Sequence, residues 1–348
     1  MVVRCLAVVS LVVAGSLLAL CAVGCNNSEG TAAQPQATAA AKEQAEVVAG
    51  KIAIDGSSTV WPITDAVARA FVKQYPRVWA RVDLSGSGRG LKKLCAGQIQ
   101  IADASRAIKA KEIKALGDKG LEVIEVPVAF DGVAVVVNSE NTWVDHLTVA
   151  ELKRVWEHGS TVKQWSDVRP GWPKEAVKPT APTTESGTFA YFTKAICGKE
   201  GCIRDDYFAH EDEHVMAPYV AKHKGGIAFF GYGWYLKYRK SLKLVPVQNG
   251  AEAQPVAPSI ESIAAGTYIP LSRPLFVYLT TATAKLPEVE RFVRYYLDNA
   301  REFVNGAGYV PLPDNVYAKI RERFEARATG SVFSGGVKVG DGIASLMR

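Results

Sequence analysis

Four short stretches rich in serine, threonine and glycine each stand directly before a segment with helical hydrophobic spacing. They are Gly56-Ser57-Ser58-Thr59, Ser85-Gly86-Ser87-Gly88, Ala104-Ser105-Arg106 and Ser186-Gly187-Thr188. The first backbone N–H groups of a helix have no partner within it, and the helix dipole adds positive potential there. Hydroxyls supply further donors, and glycine lets the backbone come close, so such a loop suits an anion. Each loop alone reads equally as ordinary N-capping by Ser or Thr. Four in one chain point to a shared ligand, because open α/β sheets gather their strand-to-helix loops on one edge. A small oxyanion fits best. Gly86, Gly88 and Gly90 do not make G-x-G-x-x-G, and no Gly-Lys-Ser/Thr sequence is present, so a nucleotide lacks its fingerprint.

A second constellation, His210-Glu211-Asp212-Glu213-His214, has the H-E-x-x-H spacing of zinc proteases. On one helix His210 and His214 would share a face, with Glu211 beside them as general base. Both intervening positions are acidic, and Pro218 is expected to stop the helix within a turn. The only nearby third ligand is His223, and Glu252 is far along the chain. A zinc hydrolase is therefore the remote alternative. No G-x-S-x-G and no Ser/His/Asp set is evident, so no catalytic residue, metal or cofactor is expected.

The elements that must position the four loops follow a repeating order of strand, Gly/Ser-rich loop and helix. Strand patterns cover 51–54, 78–84, 99–102, 123–128, 132–138, 178–181, 226–230 and 274–279. Helical patterns cover 91–96, 147–156, 188–196, 288–297 and 315–328, and Ile63, Val67, Ala70 and Phe71 fall on one helical face. Thr148 is a plausible N-cap. This is an α/β signature with a largely parallel sheet.

The N-terminus fixes the compartment. Arg4 is followed by an uncharged apolar run from Cys5 to Val23, ending in Ala22-Val23-Gly24-Cys25. Small residues directly before a cysteine match a bacterial lipobox, which predicts a signal peptide over 1–24 and acylation of Cys25. An uncleaved N-terminal anchor is the other reading, and both leave the chain exported and tethered on the periplasmic or cell-surface side. Residues 25–49 hold the lipidated cysteine and a tether rich in Ala, Gln, Thr and Ser, which has no aromatic residue with which to build a core. In an oxidising compartment Cys197 and Cys202 are expected to form a small-loop disulfide. Cys95 reads as a buried structural thiol.

The 348 residues carry 41 Lys+Arg against 35 Asp+Glu, a net charge of +6 with no long basic run, which argues against nucleic acid.

Taken together, Asp55-Gly56-Ser57-Ser58-Thr59-Val60-Trp61-Pro62, Ser85-Gly86-Ser87-Gly88-Arg89-Gly90-Leu91, Asp103-Ala104-Ser105-Arg106, Glu185-Ser186-Gly187-Thr188-Phe189 and Gly225-Gly226-Ile227-Ala228-Phe229-Phe230-Gly231-Tyr232 occur in an order that resembles the PstS-type phosphate-binding proteins of phosphate ABC transporters. The resemblance spans about residues 50 to 330. It implies an α/β, class II periplasmic-binding-protein fold, a two-lobed Venus flytrap with two hinge crossovers near 130–133 and 271–276. Lobe one would be 50–130 plus 271–348, and lobe two 131–270. It further implies a monomer that takes up inorganic phosphate and hands it to a membrane permease.

Carried over by motif, Ser58, Thr59, Val60, Ser87, Asp103, Ser105, Arg106, Ser186, Gly187 and Thr188 would bind the anion. Many relatives carry Arg four residues before the Ser-Gly-Thr serine, where this chain has Pro182; Arg106 is the candidate replacement, since a guanidinium grips two oxygens in a fork. Asp103 would accept the hydrogen bond of the phosphate proton, with Asp55 and Asp131 as alternatives. Sulfate carries no such proton and would meet an unpaired carboxylate. A required hydrogen bond of this kind can discriminate about 10⁴–10⁵-fold. The donor loops alone leave sulfate or molybdate as the rival ligand, and a signalling or adhesin role on the same scaffold stays open.

The lipobox gives a direct test. A Cys25→Ser chain is expected to lose incorporation of labelled fatty acid; labelling retained in that variant would overturn the anchor assignment.

Overall fold

The computed structural model describes residues 48–331. Cys25, the signal segment 1–24 and nearly all of the tether lie outside that range, as do residues 332–348. The strands are β1 (Gly50–Gly56), β2 (Val78–Leu84), β3 (Ile101–Ala104), β4 (Val123–Asn138), β5 (Leu147–Thr148), β6 (Lys178–Ala181), β7 (Phe208–Ala209), β8 (Gly226–Gly231), β9 (Leu242–Val245), β10 (Val247–Gln248) and β11 (Ser272–Thr280). The helices are α1 (Trp61–Gln74), α2 (Ser87–Cys95), α3 (Ala110–Gly117), α4 (Val149–Trp156), α5 (Trp165–Val168), α6 (Gly187–Cys197), α7 (Glu213–Lys222), α8 (Tyr232–Tyr238), α9 (Ile260–Ala264), α10 (Pro287–Gly306) and α11 (Asp314–Glu325). Among the described residues no helix is long and apolar enough to cross a membrane.

The two β-branched runs at 123–128 and 132–138 are one strand. All 16 residues of β4 are buried, as are all nine of β11. Strands covered on both faces read as near-continuous apolar sequence. The polar residues Asp131-Gly132 do not interrupt β4, because Asp131 pairs directly across the ladder with Arg273 of β11. The pair keeps the strand unbroken, and Gly132 leaves room for Ile263, whose Cδ1 would lie 2.7 Å from any added Cβ.

The strand order is β2-β1-β3-β11-β4-β8-β6-β7, with β9 also on β4. β4 pairs with β11 up to Gly132 and with β8 from Val133 onward, so it serves two sheet halves in turn. One half holds β1, β2, β3 and β11, the other β6, β7, β8 and β9, and the architecture is two-lobed α/β. Outer strands are parallel within each half (β1 with β2 and β3, β6 with β7 and β8). The centre is antiparallel: β11 with β3 and β4, and β4 with β8 and β9. The expected largely parallel sheet is thus mixed, because β4 and β11 traverse the middle in opposite directions.

Register brings the loops together. Gly56, Leu84 and Asp103, at or next to the C-terminal ends of β1, β2 and β3, are mutual neighbours through Gly56. In the other half, Phe192 of α6 stacks on Phe229 of β8 with centroids 3.7 Å apart, and Trp156 of α4 meets both rings edge-on. This aromatic cluster holds α6, and with it the fourth loop, onto the sheet. Phe229→Ala is expected to cost about 3–5 kcal/mol in urea unfolding; a loss below about 1 kcal/mol would show that the cluster does not anchor α6.

Candidate functional site

The site is built where three helices begin. β1 ends at Gly56, with φ +148°, where an added Cβ would fall 2.1 Å from the Asp103 carbonyl oxygen. Only glycine lets β3 run this close. Ser57 N–H donates to that same oxygen at 3.0 Å, and Ser57 Oγ accepts from Thr59 N–H at 3.2 Å. Both Ser85 N–H and Gly86 N–H donate to Gly56 O, at 3.0 and 2.7 Å. Ser105 N–H donates to Ser87 Oγ at 3.1 Å. The loops after β1, β2 and β3 are therefore tied to one another by hydrogen bonds rather than merely adjacent.

The fourth loop arrives from the other lobe. Ser186 N-caps α6, its Oγ accepting from Thr188 and Phe189 N–H. Gly187 then lies on the first lobe, where an added Cβ would be 2.4 Å from both Ser87 Oγ and Ser105 Oγ. Thr188 Oγ1 is 3.0 Å from Thr59 Oγ1, and Gly88 N–H donates to Glu185 O at 2.9 Å. The starts of α1, α2 and α6 meet at one buried point, and their dipoles add there. The structure brings Thr59, Ser87, Ser105, Gly187 and Thr188 together at this point. Val60 is buried as the residue preceding α1.

The cation at this point is Arg273, which the sequence reading did not single out. It is completely buried. Its Nη2 donates to Thr59 Oγ1 (3.2 Å), Thr188 Oγ1 (2.8 Å) and Asp131 Oδ2 (2.9 Å), Nε donates to Asp131 Oδ2 (3.2 Å), and Nη1 to Ser105 O (3.1 Å). One guanidinium thus touches hydroxyls of both lobes. Arg273 is the one charged residue in the run 271–279, but nothing in that run marks which way it faces.

Arg106 does not fill that role. Its guanidinium is spent on Glu112, with Nη1 and Nη2 on separate carboxylate oxygens at 2.9 and 2.7 Å. Glu112 also accepts from Lys109 N–H, so the pair fixes the start of α3. Asp103 likewise faces elsewhere. Its Oδ1 accepts from Thr64 of α1 at 3.1 Å, and burial pushes its carboxyl well above the usual range. Asp55 pairs with Lys93. Asp131 is the carboxylate at the hydroxyl cluster. Burial raises it while Arg273 pulls it back, and Oδ1 accepts from Tyr232 N–H at 3.1 Å. The Tyr309 hydroxyl lies within van der Waals reach of the same spot, both it and Asp131 Oδ2 lying just over 3 Å from a Cβ built on Gly231. Ser58 Oγ is engaged by Glu213 at 2.9 Å.

The cysteines differ from expectation. Cys197 and Cys202 are free thiols rather than a disulfide. Cys197 ends α6 and is buried, which together with the neighbouring Cys202 pushes its thiol up to about 12 and leaves it inert. Cys95 is half-buried at the end of α2. The H-E-x-x-H helix does not form as required. α7 begins at Glu213, so His210 precedes it and does not share a helical face with His214. His214 instead contacts the Tyr238 hydroxyl, and His210 accepts from Asp212 N–H. Pro218 sits inside α7 without ending it, since Met216, Ala217 and Val220 pack against β8 and Trp234.

This fold and this site define a class. A model of the PBP superfamily domain matches residues 32–300. The protein SphX of Synechococcus elongatus is 40% identical over 308 residues, covering 88% of this chain and 90% of that protein. The phosphate-binding protein PstS of Staphylococcus saprophyticus is 34% identical over 279 residues, covering 79% and 85%. A crystal structure described as a possible phosphate binding protein from Planctomyces limnophilus matches with 38% identity and a TM-score of 0.62, over 81% of this chain and 100% of that one. The chain belongs to the PBP superfamily and, within it, to the SphX and PstS family of binding proteins.

The buried ion pair separates stability from binding. Arg273→Met leaves Asp131 buried and unpaired, with an expected loss of about 3–5 kcal/mol in urea unfolding. Adding Asp131→Leu is expected to restore most of it without restoring anion binding. Should the double variant bind oxyanion as well as the wild type, Arg273 is not the site's cation. Gly187→Ala is expected to abolish binding while leaving the melting temperature within a few degrees.

Proposed function

We propose that this protein captures inorganic phosphate between its two lobes and delivers it to the membrane permease of an ABC transporter. The observation that carries this reading is the convergence of Arg273, the Thr59, Ser87, Ser105 and Thr188 hydroxyls and three helix N-termini on one buried point with Asp131 beside it. The donors replace the hydration shell of a tetrahedral anion, so burying its charge becomes tolerable. The Ser186 hydroxyl proton adds a donor at the α6 cap.

Asp131 takes the part first given to Asp103. Phosphate near neutral pH keeps a proton that can hydrogen-bond to this carboxylate, whereas sulfate offers none and meets a repelling charge. The lobes are residues 50–130 with 271–331, and 131–270, and the hinge runs through β4 at 130–133 and the start of β11 at 271–276. Open lobes expose the two donor sets, and rotation about the hinge closes them over the anion and expels water. The closed form docks on the permease, which opens it. No bond is made or broken, so the protein works as a receptor and not as an enzyme. It acts as an exported monomer held to the membrane by lipid on Cys25.

The test is calorimetry on the full chain in detergent, freed of bound anion by unfolding and refolding. One-to-one phosphate binding that excess sulfate does not displace is the expected result. Sulfate or molybdate binding in its place keeps the receptor class and overturns the ligand. Thr188→Ala and Ser87→Ala are each expected to weaken phosphate by about 1–3 kcal/mol.

A further inference from the structure

The acidic residues of the His210–His214 segment find a use that has nothing to do with zinc. Glu213 is the first residue of α7, on the lobe-two side of the cleft, and is 1% exposed. Its Oε1 accepts from the hydroxyl of Ser58, in the loop after β1, at 2.9 Å. Its Oε2 is buried and has no hydrogen-bond partner. Beside it, Trp234 Nε1 donates to Ser58 O at 3.2 Å, so lobe two holds the Ser58 loop at two points. We propose that Glu213 is a positioning residue that couples closure of the lobes to uptake of one proton: closure buries this side chain against Ser58 with no cation to pair it, which the neutral acid tolerates and the ionised acid opposes, although the Ser58 hydroxyl can donate to either form. This rests on the reading of the protein as a phosphate receptor.

The surroundings explain why the neutral form is the one that fits. No ion pair among the described residues includes Glu213. The charged and titratable groups facing it are Asp212 and Glu211 on its own segment, Lys237 and Tyr238 on α8, and Tyr309 beyond α10. The two acids disfavour a further negative charge. Lys237 is the single cation of that set, and its Nζ lies 3.9 Å over the Trp234 ring. His214, next along α7, is turned to Tyr238. An ionised Glu213 would be a buried charge with no cation paired to it, resting on Ser58 next to the Thr59 donor and beside an incoming anion. Burial accordingly pushes its carboxyl up to about 8.

The sign follows from linkage. In open lobes a solvated Glu213 titrates as an ordinary carboxyl, so the closed state binds more protons than the open one between about pH 4.5 and pH 8. Closure, and the phosphate affinity that depends on it, weakens as pH rises through that window, by at most about tenfold per pH unit, and levels off above it. Phosphate's own ionisation also changes with pH, but it is common to every variant and cancels in a ratio.

The test compares the full-length wild type with Glu213→Gln, which imitates the neutral acid and keeps an oxygen for Ser58. Phosphate Kd is measured from about pH 5.5 to about pH 8.5. The ratio of wild-type to variant Kd is expected to rise at least about tenfold across that range; a ratio constant within about twofold overturns the proposal. Calorimetry of the wild type near pH 7 in two buffers of different ionisation enthalpy gives a second reading. Beyond what phosphate's own ionisation accounts for, net proton uptake upholds the coupling and none overturns it, whether or not the variant folds. If the wild type binds no phosphate at any pH, the receptor reading fails separately. The latch is then read from melting temperature: a variant-minus-wild-type difference that grows with pH upholds it, and a flat one overturns it.

Discussion

A guanidinium with no access to water governs the centre of this molecule. Arg273 and Asp131 face each other across the antiparallel ladder of β4 and β11, both fully buried. Two isolated charges at that depth would be prohibitively costly; paired, they hold the two traversing strands in register and aim the remaining N–H groups at the cleft. The hydroxyls of Thr59 and Thr188, one from each lobe, meet on the same nitrogen. One guanidinium therefore joins the two central strands to hydroxyls of both sheet halves.

Around that pair the loops supply direction rather than charge. The starts of α1, α2 and α6 are packed so tightly that Gly56 and Gly187 admit no side chain. Preorganised donors of this kind need little rearrangement when an anion arrives. Farther out, ionic contacts cross between the lobes at the rim, Lys92 to Glu185 at 3.0 Å and Lys109 to Glu200. Being partly solvated, these contribute less than the buried contacts and yield to salt. The contacts between the two halves thus run from exposed ion pairs at the rim, through the Glu213–Ser58 hydrogen bond, to the fully buried Arg273 cluster.

The His210–His214 segment shows how a motif acquires meaning from its context. Its spacing matches a zinc helix, but the helix starts three residues too late to present both imidazoles together. The same delay places Glu213 at the helix start, against the opposite lobe.

Much of the site was legible in the sequence because it depends on local rules. Helix starts announce themselves through Ser, Thr and Gly, and these types reported Thr59, Ser87, Ser105, Gly187 and Thr188. Strand and helix periodicity gave the α/β class and most of the elements. The cation and the carboxylate were another matter. Arg106 and Asp103 stood beside the right motif, yet the first turns to Glu112 and the second to Thr64. Side chains at neighbouring positions of a strand or loop point to opposite sides, and only packing decides which side holds the ligand. Arg273 and Asp131 are 142 residues apart. Their pairing depends on the register of β4 with β11, a long-range choice made by the burial of both strands, and no local pattern encodes it.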